Sequence, residues 1–256
     1  MAPRKVPGWL NGLLIGGTVA ALWWLERRRP LRRGIVEPLV RRQGRNLAMA
    51  ALSAASIQAA EKPVVGPLAQ LVERRRWGLL QRLELPTWLE VPLGVALLDY
   101  TLYLWHILTH RVSFLWHFHL PHHVDLDMDA STALRFHFGE MLLSVPWRAC
   151  QVLVIGARPL TLSVWQTATL MEIMFHHSNV ELPLGVECWL SWLVVTPRMH
   201  GIHHSAVEDE TNSNWSSGLA IWDRLHGTFR LDVPQEDITI GVPAYRNPAE
   251  VTLPRI

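Results

Sequence analysis

The sequence predicts an all-α integral membrane bundle of about four to five membrane-embedded helices, with a histidine-rich cap on its cytoplasmic side. Three observations carry this. Hydrophobic residues make up 49% of the 256-residue chain and charged residues 18%, below the roughly 25% of soluble domains. Several apolar runs are about as long as the ~18 residues a membrane-crossing helix needs. All 13 histidines fall between positions 106 and 226. Other classes drop out on the same numbers. A net charge of +2 gives no field for nucleic acid. Two cysteines, Cys150 and Cys188, cannot staple a secreted fold. The hydrophobic content excludes general disorder.

The elements follow in order. Gly8 to Leu25 is uncharged and long enough to span. It runs into Glu26, Arg27, Arg28 and Arg29, then Arg32 and Arg33, not into a small-residue cleavage site. It therefore reads as an uncleaved anchor. Its following arginines outnumber Arg4 and Lys5, so its C-terminal end should be cytoplasmic. Gly8, Gly12 and Gly16 have a G-x-x-x-G spacing that would allow a homodimer. Leu47 to Val72 is interrupted by Glu61, Lys62, Pro63 and Pro67, and reads as one broken span or a re-entrant pair. Trp88 to Thr109 is a third span, with Asp99 inside it. Phe138 to Ile155 and Leu160 to Phe175 form a hairpin through Gly156, Ala157, Arg158 and Pro159. Trp189 to Val195 is too short to span and suits the interface. Residues 231–256 carry four prolines and read as a polar tail. The chain divides into anchoring helices at 1–87, a catalytic domain at 88–230 and that tail; residues 1–87 show no signal beyond anchoring. Counting spans puts all the histidines on the cytoplasmic face and Arg74, Arg75 and Arg76 on the opposite one.

The histidine spacing is ordered. His106 and His110 are i,i+4. His119, His122 and His123 form H-x-x-H-H, and His200, His203 and His204 repeat it. His176 and His177 close an apolar helix. On a helix, residues three or four apart share a face, so their imidazoles can converge. The middle histidine of each box is turned about 100° from its neighbour, so one box can serve two metals. Neutral imidazole is the commonest metal ligand. Nine histidines in motif positions (106, 110, 119, 122, 123, 177, 200, 203 and 204) are too many for one ion and suit two. An all-nitrogen set suits iron, zinc or copper. His117, His137 and His226 read as packing or hydrogen-bonding groups, and His176 is left open between the two roles.

These residues resemble the sterol desaturase and fatty acid hydroxylase superfamily of membrane di-iron oxygenases. Asp99, Tyr103, His106 and His110 are similar to its D-x-x-x-Y-x-x-H-x-x-x-H. Trp116, His119, His122 and His123 are similar to W-x-x-H-x-x-H-H, and Arg135, His137 and Glu140 to R-x-H-x-x-E. His177, Ser178 and Asn179 match H-S-N. Pro197, His200, His203 and His204 match P-x-x-H-x-x-H-H, and Ile221 to Phe229 resembles the closing I-W-D-R-L-F-G-T-F. The short gap between His110 and His119 resembles the hydroxylases more than the acyl-lipid desaturases. Ile107, Trp215, Ser216 and His226 depart from the pattern, and none removes a box histidine. Pro121 inside the second box should start a helix.

The resemblance implies two Fe ions, with zinc an alternative in purified protein, and dioxygen-dependent removal of hydrogen from a lipid C–H bond. The product would be a hydroxyl or a double bond on a sterol or fatty-acyl type of lipid. Without a flavin or haem motif, electrons would come from a separate reductase, ferredoxin or cytochrome. Asp99, a carboxylate in an apolar span, reads either as an acceptor orienting a metal-bound histidine or as an arginine partner. Asp223 would brace the third box. Glu172, one turn before His176, reads as a buried hydrogen-bonded carboxylate. The rival readings are a membrane zinc-dependent two-metal hydrolase with Glu172 or Asp99 as base, and a non-catalytic metal-binding or metal-transporting membrane protein.

Overall fold

A computed structural model describes residues 5–252. Arg4, counted above among the flanking charges, and the last four residues of the tail lie outside the described residues. Among the described residues there is helix but no β-strand, only three isolated bridges.

Helix α1 (Gly8–Arg28) leads through an irregular linker to α2 (Leu39–Ser56). A π-helical turn (Ile57–Glu61) joins α2 directly to α3 (Lys62–Arg75). The expected break at Glu61-Lys62-Pro63 does not occur. Pro63 lacks an N–H and its ring crowds the preceding turn; the wide π turn just before it absorbs the conflict and the helix runs on. The 37-residue run from 39 to 75 is therefore about 55 Å long at 1.5 Å per residue, longer than a hydrocarbon core. Short α4 (Leu79–Arg82) leads to α5 (Thr87–Arg111) and α6 (Ser113–His123). Pro121 lies inside α6, in its last turn, instead of starting a helix. The hydrogen bond it forfeits would go to the carbonyl of His117, an exposed residue, so water can satisfy it.

Helices α7 (Phe138–Ile155) and α8 (Pro159–His177) make the hairpin. Their turn needs Gly156 at φ +80°, and Gly78 at φ +86° packs on it so closely that a side chain on Gly78 would overlap the Gly156 backbone. Short helices α9 (Leu184–Leu190), α10 (Pro197–His203), α11 (Glu208–Thr211) and α12 (Ile221–His226) complete the chain. The expected interfacial segment 189–195 is the end of α9 and the turn after it, with Trp189, Trp192 and Leu193 exposed.

Helices α1, α5 and α7 are long and apolar enough to cross a membrane; among the described residues no other helix is. A core of Val65, Ala69, Val72, Leu98, Val152 and Trp165 ties α3, α5, α7 and α8 together near the hairpin turn. Arg74, Arg75 and Arg76 sit at this end, beside Trp77 and Gly78. The C-terminal ends of α5 and α8 carry His106, His110, His176 and His177 to the other end. The C-terminus of α1 reaches that end too: the Arg29 carbonyl accepts from Glu181 N–H at 2.7 Å. Gly8, Gly12 and Gly16 have open space where a Cβ would stand, so packing within the chain does not use them.

Candidate metal centre

Helices α5, α6, α8 and α10 each deliver histidines to one buried site. His106, His119, His122, His123, His177, His200, His203 and His204 are buried, and His110 is half-buried. Three groups could hold a metal, each with its donor atoms within 4.8 Å of one another: His106, His110, His119 and His123; His122, His177, His200 and His204; and His123, His203 and His204. These are the nine motif histidines. The second box divides as helix geometry requires: His119 and His123 enter one group and His122 the other. The His123 and His204 rings stack at 4.3 Å and 14° where the groups meet.

Five of the outer nitrogens are held, which turns the inner ones of those rings toward the site. His106 Nδ1 donates to the Trp215 carbonyl at 2.7 Å and His203 Nδ1 to that of Ser213 at 2.8 Å. His177 Nδ1 donates to the Ile173 carbonyl at 2.7 Å and His122 Nδ1 to that of Arg135 at 3.2 Å. His119 Nδ1 donates to Glu140 Oε2 at 3.1 Å.

Two consequences test whether a metal fits. First, Nε2 of His110, His119, His123 and His203 is buried with no hydrogen-bond partner, a costly state for polar atoms. Second, His122 and His177 each give their only proton to a carbonyl, which can only accept, so both Nε2 atoms carry bare lone pairs. Yet they stand 3.0 Å apart, and His177 Nε2 is also 3.0 Å from His200 Nε2. Facing lone pairs repel unless a cation lies between them. Ligands about 2.1 Å from one ion at right angles are about 3.0 Å apart, which matches. Protonation does not substitute for the metal. Burial first, then the neighbouring imidazoles, pushes His122, His123, His200 and His204 well below the usual histidine range. Burial takes His203 down to about 3. The rings are neutral, as ligands must be.

The two carboxylates proposed from the sequence sit one layer out. Asp99 Oδ2 accepts from Leu219 N–H at 2.9 Å and from Trp222 Nε1–H at 2.8 Å. It neither orients a histidine nor pairs with an arginine, because α5 presents it to the 217–222 segment instead. Asp223 accepts from Trp215 N–H at 2.9 Å, Ser216 N–H at 3.1 Å and Thr228 Oγ1 at 2.7 Å. Its two backbone donors lie in the same 213–216 turn whose carbonyls hold His106 and His203. Glu172 is half-buried, and its buried Oε2 has no partner. Among the described residues no carboxylate enters the three groups. His137 caps α7, its Nδ1 accepting from Gly139 N–H at 3.0 Å. His176 packs at a tilt against His200, with ring centres 4.0 Å apart, outside the groups.

A second support is spread along the chain. Arg135 is fully buried; its carbonyl holds His122, and its Nε donates to the Pro121 carbonyl at 2.6 Å. Its side chain reaches Asn46 at 3.0 Å. Beside it, buried Asp125 accepts from Arg42 at 3.2 Å, Arg45 at 3.1 Å, Asn46 at 3.1 Å and Thr132 at 3.0 Å. Arg42 also pairs with Asp129, and Arg45 with Glu37 at 2.7 Å. Burial would raise the Asp125 carboxyl, but the guanidinium groups of Arg135, Arg42 and Arg45 outweigh it and hold it low. Residues 37–46 thus do more than anchor. The available signal was charge: three arginines at 41, 42 and 45, and three of the chain's few aspartates at 125, 127 and 129.

The comparisons agree with this geometry. The relatives matched include ornithine lipid hydroxylase OlsE of Rhizobium tropici, 34% identical over 158 residues, covering 61% of this chain and 46% of that protein. Human alkylglycerol monooxygenase is 30% identical over 156 residues, 61% of this chain and 33% of its own. Mouse cholesterol 25-hydroxylase is 26% identical over 139 residues, 53% and 45%. The chain thus spans less than half the length of each of these relatives. No solved structure matches it. The fatty acid hydroxylase family model matches residues 91–228, a stretch that contains every histidine of the three groups, and the chain belongs to that family.

Proposed function

We propose that the protein is a membrane-embedded lipid hydroxylase that uses dioxygen and holds two iron ions in its nine histidines. The observation that carries this is the convergence of four helices' histidines into adjoining all-nitrogen groups with facing lone pairs. His106, His110, His119 and His123, with His203 beside them, would hold one ion; His122, His177, His200 and His204 would hold the other. Bound iron would supply the redox chemistry for activating dioxygen and cleaving a C–H bond. The chain's own part is to hold His106, His122, His177 and His203 through outer carbonyls and His119 through Glu140, and to exclude water by burial. Asp99 and Asp223 act as positioning residues for the 213–223 segment. Lipid hydroxylation is favoured over desaturation by the relatives' names, each a hydroxylase or monooxygenase. Against the zinc hydrolase, Asp99, one of the two bases considered for it, is committed to Leu219 N–H and Trp222 Nε1–H. The histidine end lies with the C-terminus of α1, which the arginine excess assigns to the cytoplasm. There an external electron donor would reach it.

The test is elemental analysis and lipid profiling of the detergent-purified full chain, supplied with a competent reductase. Two irons per chain and a lipid product carrying one added oxygen are expected, both lost in His119→Ala and His203→Ala. Iron-loaded protein that leaves all membrane lipids unchanged, or variants that keep full activity, would overturn the proposal. Turnover without dioxygen would revive the hydrolase.

A further inference from the structure

The arginine run after α1 has a structural use beyond setting orientation. Residues 29–38 do not hang free. Leu31 N–H and Arg32 N–H donate to Asn179 O at 2.9 Å and Asn179 Oδ1 at 2.8 Å, and Asn179 Nδ2 returns a bond to the Arg32 carbonyl at 2.8 Å. This pins the linker to the segment just past His177. Between the linker, residues 126–129 and residues 235–246 lies a cavity of about 850 Å³, walled in part by Arg27, Arg32, Arg33 and Arg246.

The arginines of this wall are mostly not paired with its carboxylates. Its carboxylates are mostly committed. Glu26 accepts from Ala130 and Asn179 N–H, both at 2.8 Å, and Asp127 from Val36 and Glu37 N–H. Glu37 and Asp129 pair with Arg45 and Arg42. Among the described residues Arg27, Arg32, Arg33 and Arg246 have no carboxylate partner. Arg27 donates only to the Trp23 carbonyl, and Arg246 to that of Ile240. Arg32 Nη2 donates to Pro197 O and Gln235 Oε1, while its Nε and Nη1 are buried without partners. Four guanidinium groups without a carboxylate partner therefore share the wall with Glu26, Asp127 and Glu236, of which Glu26 and Asp127 are turned onto backbone N–H groups. Planar guanidinium groups in this number suit phosphate oxygens.

Position narrows the ligand. The cavity is lined by the C-terminal end of α1, beside exposed Trp23 and Trp24, a residue type that suits a membrane–water boundary. It also abuts the metal centre. The Arg32 guanidinium lies against Gly201, between His200 and His203, so closely that a Cβ there would collide with it. We propose that this cavity binds a phosphate-bearing anion, the headgroup of an anionic membrane lipid. The lipid source rests on reading α1 as a membrane span; the anion site does not, and neither depends on turnover.

The test uses the full chain in detergent, titrated with dioleoyl phosphatidylglycerol, dioleoyl phosphatidylcholine and inorganic phosphate, with bound lipid read by native mass spectrometry. Arg27→Gln/Arg33→Gln removes two exposed wall cations that hold no other element in place. Arg28→Gln/Arg29→Gln removes the same charge just outside the cavity and is the control. Phosphatidylglycerol should bind at least about tenfold tighter than phosphatidylcholine, and the wall variant should lose about tenfold or more of that affinity, since each arginine near a surface contributes a factor of roughly five. The control should lose much less. Competition by inorganic phosphate at comparable concentration would keep the anion site and transfer it to a soluble phosphate. Equal losses in both variants, or no preference for the anionic lipid, would overturn the proposal. Metal content, unchanged in all three proteins, confirms that the fold is intact.

Discussion

Asp223→Asn should loosen two histidines that Asp223 never touches. The carboxylate accepts Trp215 N–H and Ser216 N–H on separate oxygens, and Thr228 Oγ1 besides. Asparagine keeps one acceptor and turns an NH₂ toward the other backbone N–H. Losing a charge-assisted bond in a buried site costs about 1.5–3 kcal/mol. Part returns, because burial already raises the Asp223 carboxyl and removing the charge relieves that penalty. A net of about 1–2 kcal/mol on the turn remains. The turn's carbonyls hold His106 and His203 at 2.7 and 2.8 Å, so the loss passes to metal affinity, roughly tenfold at the low end of outer-support losses. The assay is metal retained per chain of the full protein after equilibration with a graded chelator. Asp232→Asn, at an exposed carboxylate paired with Arg230, serves as the control and should change nothing. If Asp223→Asn holds metal as wild type does while His106→Ala loses it, the 213–216 turn does not position these histidines.

Two further outcomes are expected. Asp125→Asn removes the acceptor shared by Arg42 and Arg45 in a buried network and should cost about 3–5 kcal/mol, seen as a sharply lowered thermal midpoint. Asp127→Asn, which caps only the backbone at 36 and 37, should shift it little. The metal-stripped protein should lose stability as pH falls. Its folded histidines bind protons less readily than unfolded ones, His203 at about 3 against the ordinary 6.5. The unfolded chain therefore takes up more protons between those values. Stability is full above about pH 6.5 and declines below it, by up to about 1.4 kcal/mol per pH unit for each such histidine. A flat unfolding midpoint from pH 7 to 5 would contradict the burial of neutral imidazoles. Metal loading should move the decline to lower pH.

Much of the site was legible because its signals are local. An i,i+3 or i,i+4 spacing puts imidazoles on one helix face wherever that helix goes, so eight of the nine histidines could be proposed from spacing, and His177 from its place at the end of an apolar helix. Uninterrupted apolar runs likewise marked α1, α5 and the α7–α8 hairpin close to their observed limits. Two local rules misled, both about proline. Pro63 and Pro121 looked like breaks, but a π turn and an exposed carbonyl remove the cost of each. Asp99 misled differently: a costly carboxylate in an apolar run was read toward histidine or arginine, and its partners are a backbone N–H and an indole 120 and 123 residues away.

The sequence by itself determined the helical class and which histidines are candidates to converge, because periodicity and residue chemistry do not depend on what a helix packs against. The tertiary structure alone decided how those histidines divide among adjoining groups, which carbonyls orient several of them and why residues 37–46 matter to a site some eighty residues further on. Those facts are pairings between distant segments, fixed by how α5, α6, α8 and α10 close on one another, and no spacing within a single segment encodes them.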